Sequence, residues 1–133
     1  MPDTSTCVLL VDDYPETLEM WALYLRACGY RVLTATDGLE ALKIASARQP
    51  NLVILDLDLP GISGYETARR LRRAPETASI ALMAATGYSY GGLIENARQA
   101  GFAGVVVKPC EPALFVREIE RVLADPQRNP AWL

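Results

Sequence analysis

Five polar residues follow short apolar runs of the sequence and could together bind a cation and a phosphoryl group. They are Asp12 and Asp13 after the first run, Asp56 after the third, Thr86 after the fourth and Lys108 after the fifth. Carboxylate oxygens suit Mg²⁺, which keeps several waters and takes further oxygens from a phosphate. Because a hydroxyl and an ammonium accompany the three carboxylates, these residue types predict a Mg²⁺ site beside a phosphoryl site.

Each of these residues also has a structural interpretation when it is taken alone. Acidic pairs such as Asp12 and Asp13 often cap helices, and a single lysine such as Lys108 is often a solvated charge. Asp56 is harder to explain in this way, because an unpaired carboxylate at the end of a buried strand is costly. The position of all five residues at the ends of apolar runs favours the functional interpretation.

Short apolar runs alternate with longer amphipathic stretches along the chain. Nearly continuous apolar character is typical of parallel strands covered on both faces, and it occurs at residues 7–11, 31–35, 52–55, 80–84 and 105–107. Five strand–helix units in series predict an α/β fold, a single doubly wound, five-stranded parallel sheet with five helices. For a strand order of 2-1-3-4-5, the aspartates after strands 1 and 3 face each other where the order reverses, and such folds bind ligands at that point.

Helix signals stand between the apolar runs. Asp37 with Glu40 and Ser63 with Glu66 have the spacing of capping boxes. Two glycines in residues 88–92 weaken the fourth helix, so we expect it to begin late or to be mobile. A group of arginines near the end of the third helix is interpreted as a solvated basic face that complements the helix dipole, and it consists of Arg69, Arg70, Arg72 and Arg73.

Composition limits the function further. The 133 residues are 50% hydrophobic and 22% charged, which fits one globular domain, and no apolar stretch reaches the length of a membrane span. Three widely spaced cysteines and the lack of a recognisable signal peptide predict a cytoplasmic protein, and a net charge of −3 disfavours direct nucleic-acid binding. The sequence has no histidine, which excludes a Ser–His or Cys–His dyad and any His-ligated metal site.

Four short motifs occur in one order along the chain. They are VLLVDD at residues 8–13, LVILDLDLPGISG at 52–64, AATG at 84–87 and VVVKP at 105–109. Together they resemble the receiver domain of two-component response regulators over residues 6–124. The resemblance implies a flavodoxin-like fold, a receiver domain at residues 1–125 and a short C-terminal tail or truncated linker at 126–133.

The resemblance implies a phosphorylation switch rather than a classical enzyme. Asp56 would be the phosphoacceptor, a carboxylate nucleophile that forms an acyl phosphate. Lys108 and Thr86 would contact the phosphoryl oxygens, and the Lys108–Pro109 peptide would be cis. Because the chain has no histidine of its own, the donor would be a separate sensor histidine kinase or histidine phosphotransfer protein.

The resemblance also implies how Mg²⁺ would be held. Asp13 would coordinate the ion directly and Asp12 through water, with Asp56 and the backbone carbonyl of Asp58 as further ligands. The side chain of Asp58 adds a fourth carboxylate, and clustered carboxylates are relieved by a cation. We therefore expect the stability of the protein to depend on Mg²⁺ at neutral pH.

Two positions bear on how a phosphorylation signal would be transmitted. Val105 stands where receiver domains usually carry an aromatic residue that couples to the threonine, and Tyr88, Tyr90 and Phe102 are candidates to replace it, among which the sequence does not choose. Tyr88 could shield an acyl phosphate from water. The output would pass to a downstream protein through the surface formed by the fourth helix, fifth strand and fifth helix.

Two alternatives remain at this point. A degenerate receiver would act as a phosphorylation-independent binding module, and Val105 favours it. The Asp56-Leu-Asp58 motif also resembles the opening motif of haloacid-dehalogenase-type phosphatases. The order of motifs argues against a phosphatase, because the acidic pair precedes that motif in this sequence instead of following it.

Overall fold

The computed structural model describes residues 5–87 and 90–124, which form five strands and five helices in strict alternation. The elements are β1 Cys7–Val11, α1 Pro15–Ala27, β2 Arg31–Ala35, α2 Gly38–Arg48, β3 Leu52–Asp56, α3 Gly64–Arg73, β4 Ala81–Thr86, α4 Leu93–Gln99, β5 Gly104–Val107 and α5 Pro112–Ala124. All strand pairs are parallel, and the sheet order is β2-β1-β3-β4-β5. The predicted doubly wound α/β fold is confirmed.

Two hydrophobic clusters cover the two faces of the sheet. Leu9 and Val11 of β1 point into one cluster with α2, α3 and α4, whereas Val8 and Leu10 point into the other with α1 and α5. Successive side chains of a strand alternate between faces, so a sheet covered on both sides needs the continuous apolar runs seen in the sequence. Every residue of β1, β3 and β4 is buried.

The register of the strands places the candidate site residues side by side at the carboxyl-end edge of the sheet. Val11 pairs with Leu55, so the residues that follow them, Asp12 and Asp56, lie side by side. Asp56 pairs with Ala85, and Thr86 pairs with Val107, the residue before Lys108. The parallel ladder therefore delivers the ends of β1, β3, β4 and β5 to a common site.

The helix signals of the sequence have the expected local effects. The side chains of Asp37 and Ser63 accept hydrogen bonds from the backbone N–H groups of Glu40 and Glu66, at 2.8 and 3.1 Å. Helix α4 begins only at Leu93, which confirms the expected late start. None of the helices in the described part of the chain has the length and apolar character needed to cross a bilayer.

Two expectations about local structure were wrong. The fourth strand spans residues 81–86 instead of 80–84, because the N–H of Ile80 closes a turn onto the carbonyl of Thr77. The basic face is not uniformly solvated, because the half-buried Arg72 donates hydrogen bonds to three backbone carbonyls; its partners are Ala78, Ile80 and Gly101. Burial of this guanidinium lowers the pKa of Arg72, and the side chain ties the α3–β4 turn to the α4–β5 turn.

Candidate functional site

An open cleft of about 840 Å³ lies at the carboxyl ends of the central strands. Five of the six predicted site residues line it: Asp13, Asp56, Asp58, Thr86 and Lys108. The sixth, Asp12, is 5% exposed and lies below the cleft against Lys108. The structure thus brings together all the residues that the sequence assigned to the site.

Lys108 connects two of the carboxylates. Its ammonium donates to Asp12 Oδ2 at 2.7 Å and lies 3.6 Å from Asp56 Oδ2, and its side chain is only 19% exposed. Burial by itself lowers the pKa of Lys108, but the hydrogen bond to Asp12 and the charges of both aspartates outweigh it, so the pKa is raised overall. Lys108 is therefore a fixed cation at neutral pH.

Asp56 is the most constrained carboxylate of the site. It is 7% exposed, and its Oδ1 accepts the backbone N–H of Asp58 at 3.0 Å. Burial is the largest effect on the pKa of Asp56 and raises it. The hydrogen bond from the Asp58 N–H and the charge of Lys108 lower the pKa, and the carboxylates of Asp12 and Asp13 raise it. The net result is a raised pKa. An additional positive charge in the cleft would relieve this repulsion.

Close backbone packing holds the loop after β3 in place. A Cβ atom at Gly64 would lie 2.3 Å from the carbonyl oxygen of Asp56, so only glycine allows α3 to start this close to the strand. The N–H of Gly64 also donates to the carbonyl of Leu57 at 3.0 Å. These contacts keep Asp58 beside Asp56.

The acidic residues fit a divalent cation. Carboxylate oxygens of Asp12, Asp13 and Asp56 all lie within 4.8 Å of one another. Asp13 Oδ1 is buried and has no hydrogen-bond partner, although such an atom is costly to leave unsatisfied. An oxygen-only set with incomplete protein coordination is the donor chemistry that suits Mg²⁺.

Backbone geometry places the remaining site residues. Thr86 is 3% exposed at the end of β4, and its carbonyl accepts the N–H of Lys108 at 2.7 Å. The Lys108–Pro109 peptide is cis, as the resemblance implied. Val105 lies two pairs back on β5, opposite Ala84. Tyr88 lies outside the described residues.

Sequence reasoning did not identify the apolar side of the cleft. Tyr14, the residue before α1, and Met20 and Trp21 of α1 line it together with Pro109 and Cys110. The available signal was the helical spacing of apolar residues in α1, which indicates a buried face but not exposed members such as Met20, at 55% exposure. Burial raises the pKa of Cys110, with Lys108 opposing it, so the thiol is neutral at neutral pH.

Comparison with known proteins identifies the family of the chain. A family model described as the response regulator receiver domain matches residues 8–120. This chain belongs to the response regulator receiver domain family. The polar-differentiation response regulator DivK of Brucella anthropi is 30% identical over 118 residues, which are 89% of this chain and 96% of DivK.

Solved receiver structures have the same fold. The chemotaxis response regulator CheY4 of Vibrio cholerae is 28% identical with a TM-score of 0.82, covering 88% of this chain and 98% of CheY4. The receiver domain of the sensor histidine kinase PA1611 of Pseudomonas aeruginosa has a magnesium ion coordinated in its active site cleft. It is 29% identical with a TM-score of 0.83, covering 90% of this chain and 98% of that domain. The family is one of two-component signal transduction, and it leaves the phosphatase alternative without support.

Proposed function

We propose that the chain is a phospho-accepting receiver that takes a phosphoryl group onto Asp56 from a phosphohistidine donor. The single observation that carries this is the placement of Asp56 in an open cleft, within 3.6 Å of the Lys108 ammonium and beside the unsatisfied Asp13 oxygen. In the transfer, a carboxylate oxygen of Asp56 forms a bond to phosphorus while the phosphorus–nitrogen bond of the donor breaks. The donor imidazole keeps the electron pair and takes up a proton.

Lys108 and Thr86 are proposed to position and neutralise the phosphoryl oxygens. Phosphoryl transfer needs little covalent chemistry from a protein beyond positioning and charge stabilisation. The ammonium already faces Asp56, so accepting an anionic group requires only that it exchange one oxygen partner for another. Thr86 lines the same cleft one residue beyond the partner of Asp56 on β4.

Asp12, Asp13, Asp56 and the backbone carbonyl of Asp58 would hold Mg²⁺ in this proposal. Bound Mg²⁺ supplies positive charge that offsets the charge of the incoming phosphoryl group. The magnesium ion in the cleft of the related PA1611 receiver supports this assignment. The raised pKa of Asp56 supports it too, because burial and crowded carboxylates produce an imbalance that a cation corrects.

The proposal extends to the setting of the protein. We infer a cytoplasmic receiver domain at residues 1–125, self-catalysed loss of the phosphoryl group to water, and a sensor histidine kinase or histidine phosphotransfer protein as donor. A downstream protein would recognise the surface formed by α4, β5 and α5. No membrane or direct nucleic-acid partner is proposed.

Intact mass measurement after incubation with acetyl phosphate and Mg²⁺ tests the proposal. The wild type should gain one phosphoryl group, and the gain should be lost in Asp56→Asn and when Mg²⁺ is removed. Asp37→Asn is a matched control, because it changes an aspartate that caps α2 away from the cleft, and it should still be phosphorylated. A wild type that gains no adduct from acetyl phosphate or from a phosphorylated kinase would overturn the proposal.

A phosphorylation-independent binding module is the second candidate. Val105 favours it, because valine lacks a ring that could follow the movement of Thr86. In that case, a downstream partner would bind wild type and Asp56→Asn equally well, with or without acetyl phosphate.

A further inference from the structure

Two tyrosines connect the start of α3 with the loop between β4 and α4. Tyr65 is the second residue of α3, after the loop that carries Asp58, and Tyr90 lies in the loop that follows Thr86. Their hydroxyl groups are hydrogen-bonded to each other. Both side chains are partly buried against the hydrophobic cluster on the α2–α3–α4 face of the sheet.

Tyr65 is the more firmly anchored of the two. Its backbone follows Gly64, which is packed against the carbonyl of Asp56 at the end of β3. Its ring makes an edge-to-face contact with Phe102, with centroids 6.4 Å apart and planes at 76°. Burial raises the pKa of Tyr65, and its hydrogen bond with Tyr90 raises it further, so its hydroxyl stays protonated at neutral pH.

Tyr90 is tied to α4 as well as to Tyr65. The side-chain amide of Asn96, in the middle of α4, donates to the Tyr90 hydroxyl at 3.3 Å. The N–H of Leu93, the first residue of α4, donates to the Tyr90 carbonyl at 3.1 Å. A displacement of the chain after Thr86 would therefore reach α4 through Tyr90.

Space for an alternative position of the Tyr90 ring exists beside Val105. An open groove of about 340 Å³ is lined by Tyr90 itself, by Leu93 of α4 and by Val105 and Val107 of β5. Valine at position 105, paired with Ala84, leaves this side of β5 with small side chains. Packed interiors switch between discrete arrangements when such an alternative site is available.

We propose that Tyr65 and Tyr90 form a latch that holds α4 in the unphosphorylated arrangement, and that phosphorylation opens it by moving the Tyr90 ring deeper into the groove beside Val105. The inference rests on the proposed function, since a phosphoryl group on Asp56 would have to draw Thr86 and the following loop toward it. Only contacts that differ between the two states can shift their populations. The Tyr65–Tyr90 hydrogen bond is the contact that would be lost, and packing of the ring beside Val105 the one that would be gained.

¹⁹F NMR of the protein labelled with 3-fluorotyrosine tests the latch, with Tyr65→Phe and Tyr90→Phe used to assign the two signals. Tyr30 is the internal control, because it is buried in the cluster on the opposite face of the sheet. After acetyl phosphate and Mg²⁺, with the adduct verified by mass in the same sample, the Tyr65 and Tyr90 signals should shift and the Tyr30 signal should not. In Tyr90→Phe, the Tyr65 signal should no longer respond.

Each other outcome has a defined meaning. A phosphoryl adduct with unchanged Tyr65 and Tyr90 signals would overturn the latch and leave the proposed function standing. Equal shifts at Tyr30 would overturn the latch as a local device. A sample that gains no adduct from acetyl phosphate, nor from a phosphorylated kinase used in its place, would overturn the proposed function, and the latch with it.

The rate of phosphorylation by acetyl phosphate supplies a second test. Its variants replace tyrosine with phenylalanine, which removes only a hydroxyl group and keeps the ring. The rate of a reaction that requires one arrangement of a two-state protein follows the population of that arrangement, and a variant without the hydrogen bond should populate the phosphorylated arrangement more. Loss of one hydrogen bond of ordinary strength corresponds to a change of about two- to tenfold in an equilibrium constant. Tyr65→Phe should accept phosphate from acetyl phosphate faster by a factor in this range, and Tyr30→Phe at the wild-type rate. A rate for Tyr65→Phe equal to or below wild type would overturn the latch.

Discussion

Replacing Lys108 with methionine should destabilise the protein by about 2–4 kcal/mol at neutral pH without Mg²⁺. The Lys108 side chain is 19% exposed and lies against those of Asp12 and Asp56, at 7% and 9% exposure. Removing one partner of a buried ion pair costs about 3–5 kcal/mol, because an uncompensated charge stays behind. The residual exposure of the ammonium screens part of this energy, which lowers the expected range, and methionine retains most of the apolar stem.

The expected pH dependence has a definite sign. The pKa of Lys108 is raised: burial lowers it, but the hydrogen bond to Asp12 and the nearby carboxylates more than compensate. Its contribution is therefore complete at neutral pH and is lost only as the pH rises through the folded-state pKa, above the ordinary value of about 10.4. Burial raises the pKa of Asp56, so acid neutralises this carboxylate earlier than an exposed one. The cost of Lys108→Met should shrink as the pH falls toward about 4.

Urea unfolding of wild type and Lys108→Met at neutral and acidic pH, with and without Mg²⁺, measures this effect. Lys43 is the only other lysine in the sequence, and it is exposed on α2. Lys43→Met is therefore a matched control that should change stability by less than about 0.5 kcal/mol. Mg²⁺ should reduce the loss in Lys108→Met, since the ion replaces the missing positive charge. A variant as stable as wild type at neutral pH, or a loss that acid leaves unchanged, would refute the reasoning.

Three further outcomes are expected. Mg²⁺ at one hundred times its dissociation constant should stabilise the wild type by about 2.7 kcal/mol, and Asp13→Asn should remove most of this gain. Thermal unfolding across a Mg²⁺ titration measures the gain, and equal gains in both proteins would contradict the assignment of Asp13 to the Mg²⁺ site. Asp56→Asn should raise the urea midpoint at neutral pH in Mg²⁺-free buffer, because it removes a carboxylate whose pKa is raised by burial and whose charge repels its neighbours. The difference between the two midpoints should vanish in acid, and a lowered midpoint for the variant at neutral pH would count against the repulsion. Arg72→Lys should cost about 1–3 kcal/mol in urea unfolding, because a single ammonium cannot reproduce a fork that reaches three carbonyls, whereas the exposed Arg73→Lys should cost less than about 0.5 kcal/mol.

The sequence was sufficient to predict the architecture and which polar residues the fold brings together at one edge of the sheet. Apolar runs that end in polar residues indicate both the buried strands and the site at their ends. The parallel pairing of β1 with β3 places Val11 beside Leu55, and therefore Asp12 beside Asp56. The limits of β4 were missed by one or two residues, since a turn hydrogen bond at Ile80 has no distinct sequence pattern.

Contacts between distant segments could not be predicted. The sequence around Arg72 indicates only a solvated charge, because its carbonyl partner Gly101 is 29 residues away along the chain. The hydrogen bond between Tyr65 and Tyr90 spans 25 residues and depends on how α3 and the β4–α4 loop pack. The orphaned Asp13 oxygen is likewise a product of packing, and residue type alone does not reveal it.

The two oxygens of the Asp56 carboxylate are chemically distinct in this fold. Oδ1 is occupied by the N–H of Asp58, whereas Oδ2 faces Lys108. A free carboxylate has two equivalent nucleophilic oxygens, but in Asp56 the two oxygens have different partners and are no longer equivalent. Phosphorylation at Asp56 would therefore be regioselective: the mixed-anhydride bond to phosphorus would form at Oδ2, Oδ1 would become the carbonyl oxygen, and the Asp58 N–H would polarise that carbonyl for as long as the acyl phosphate lasts.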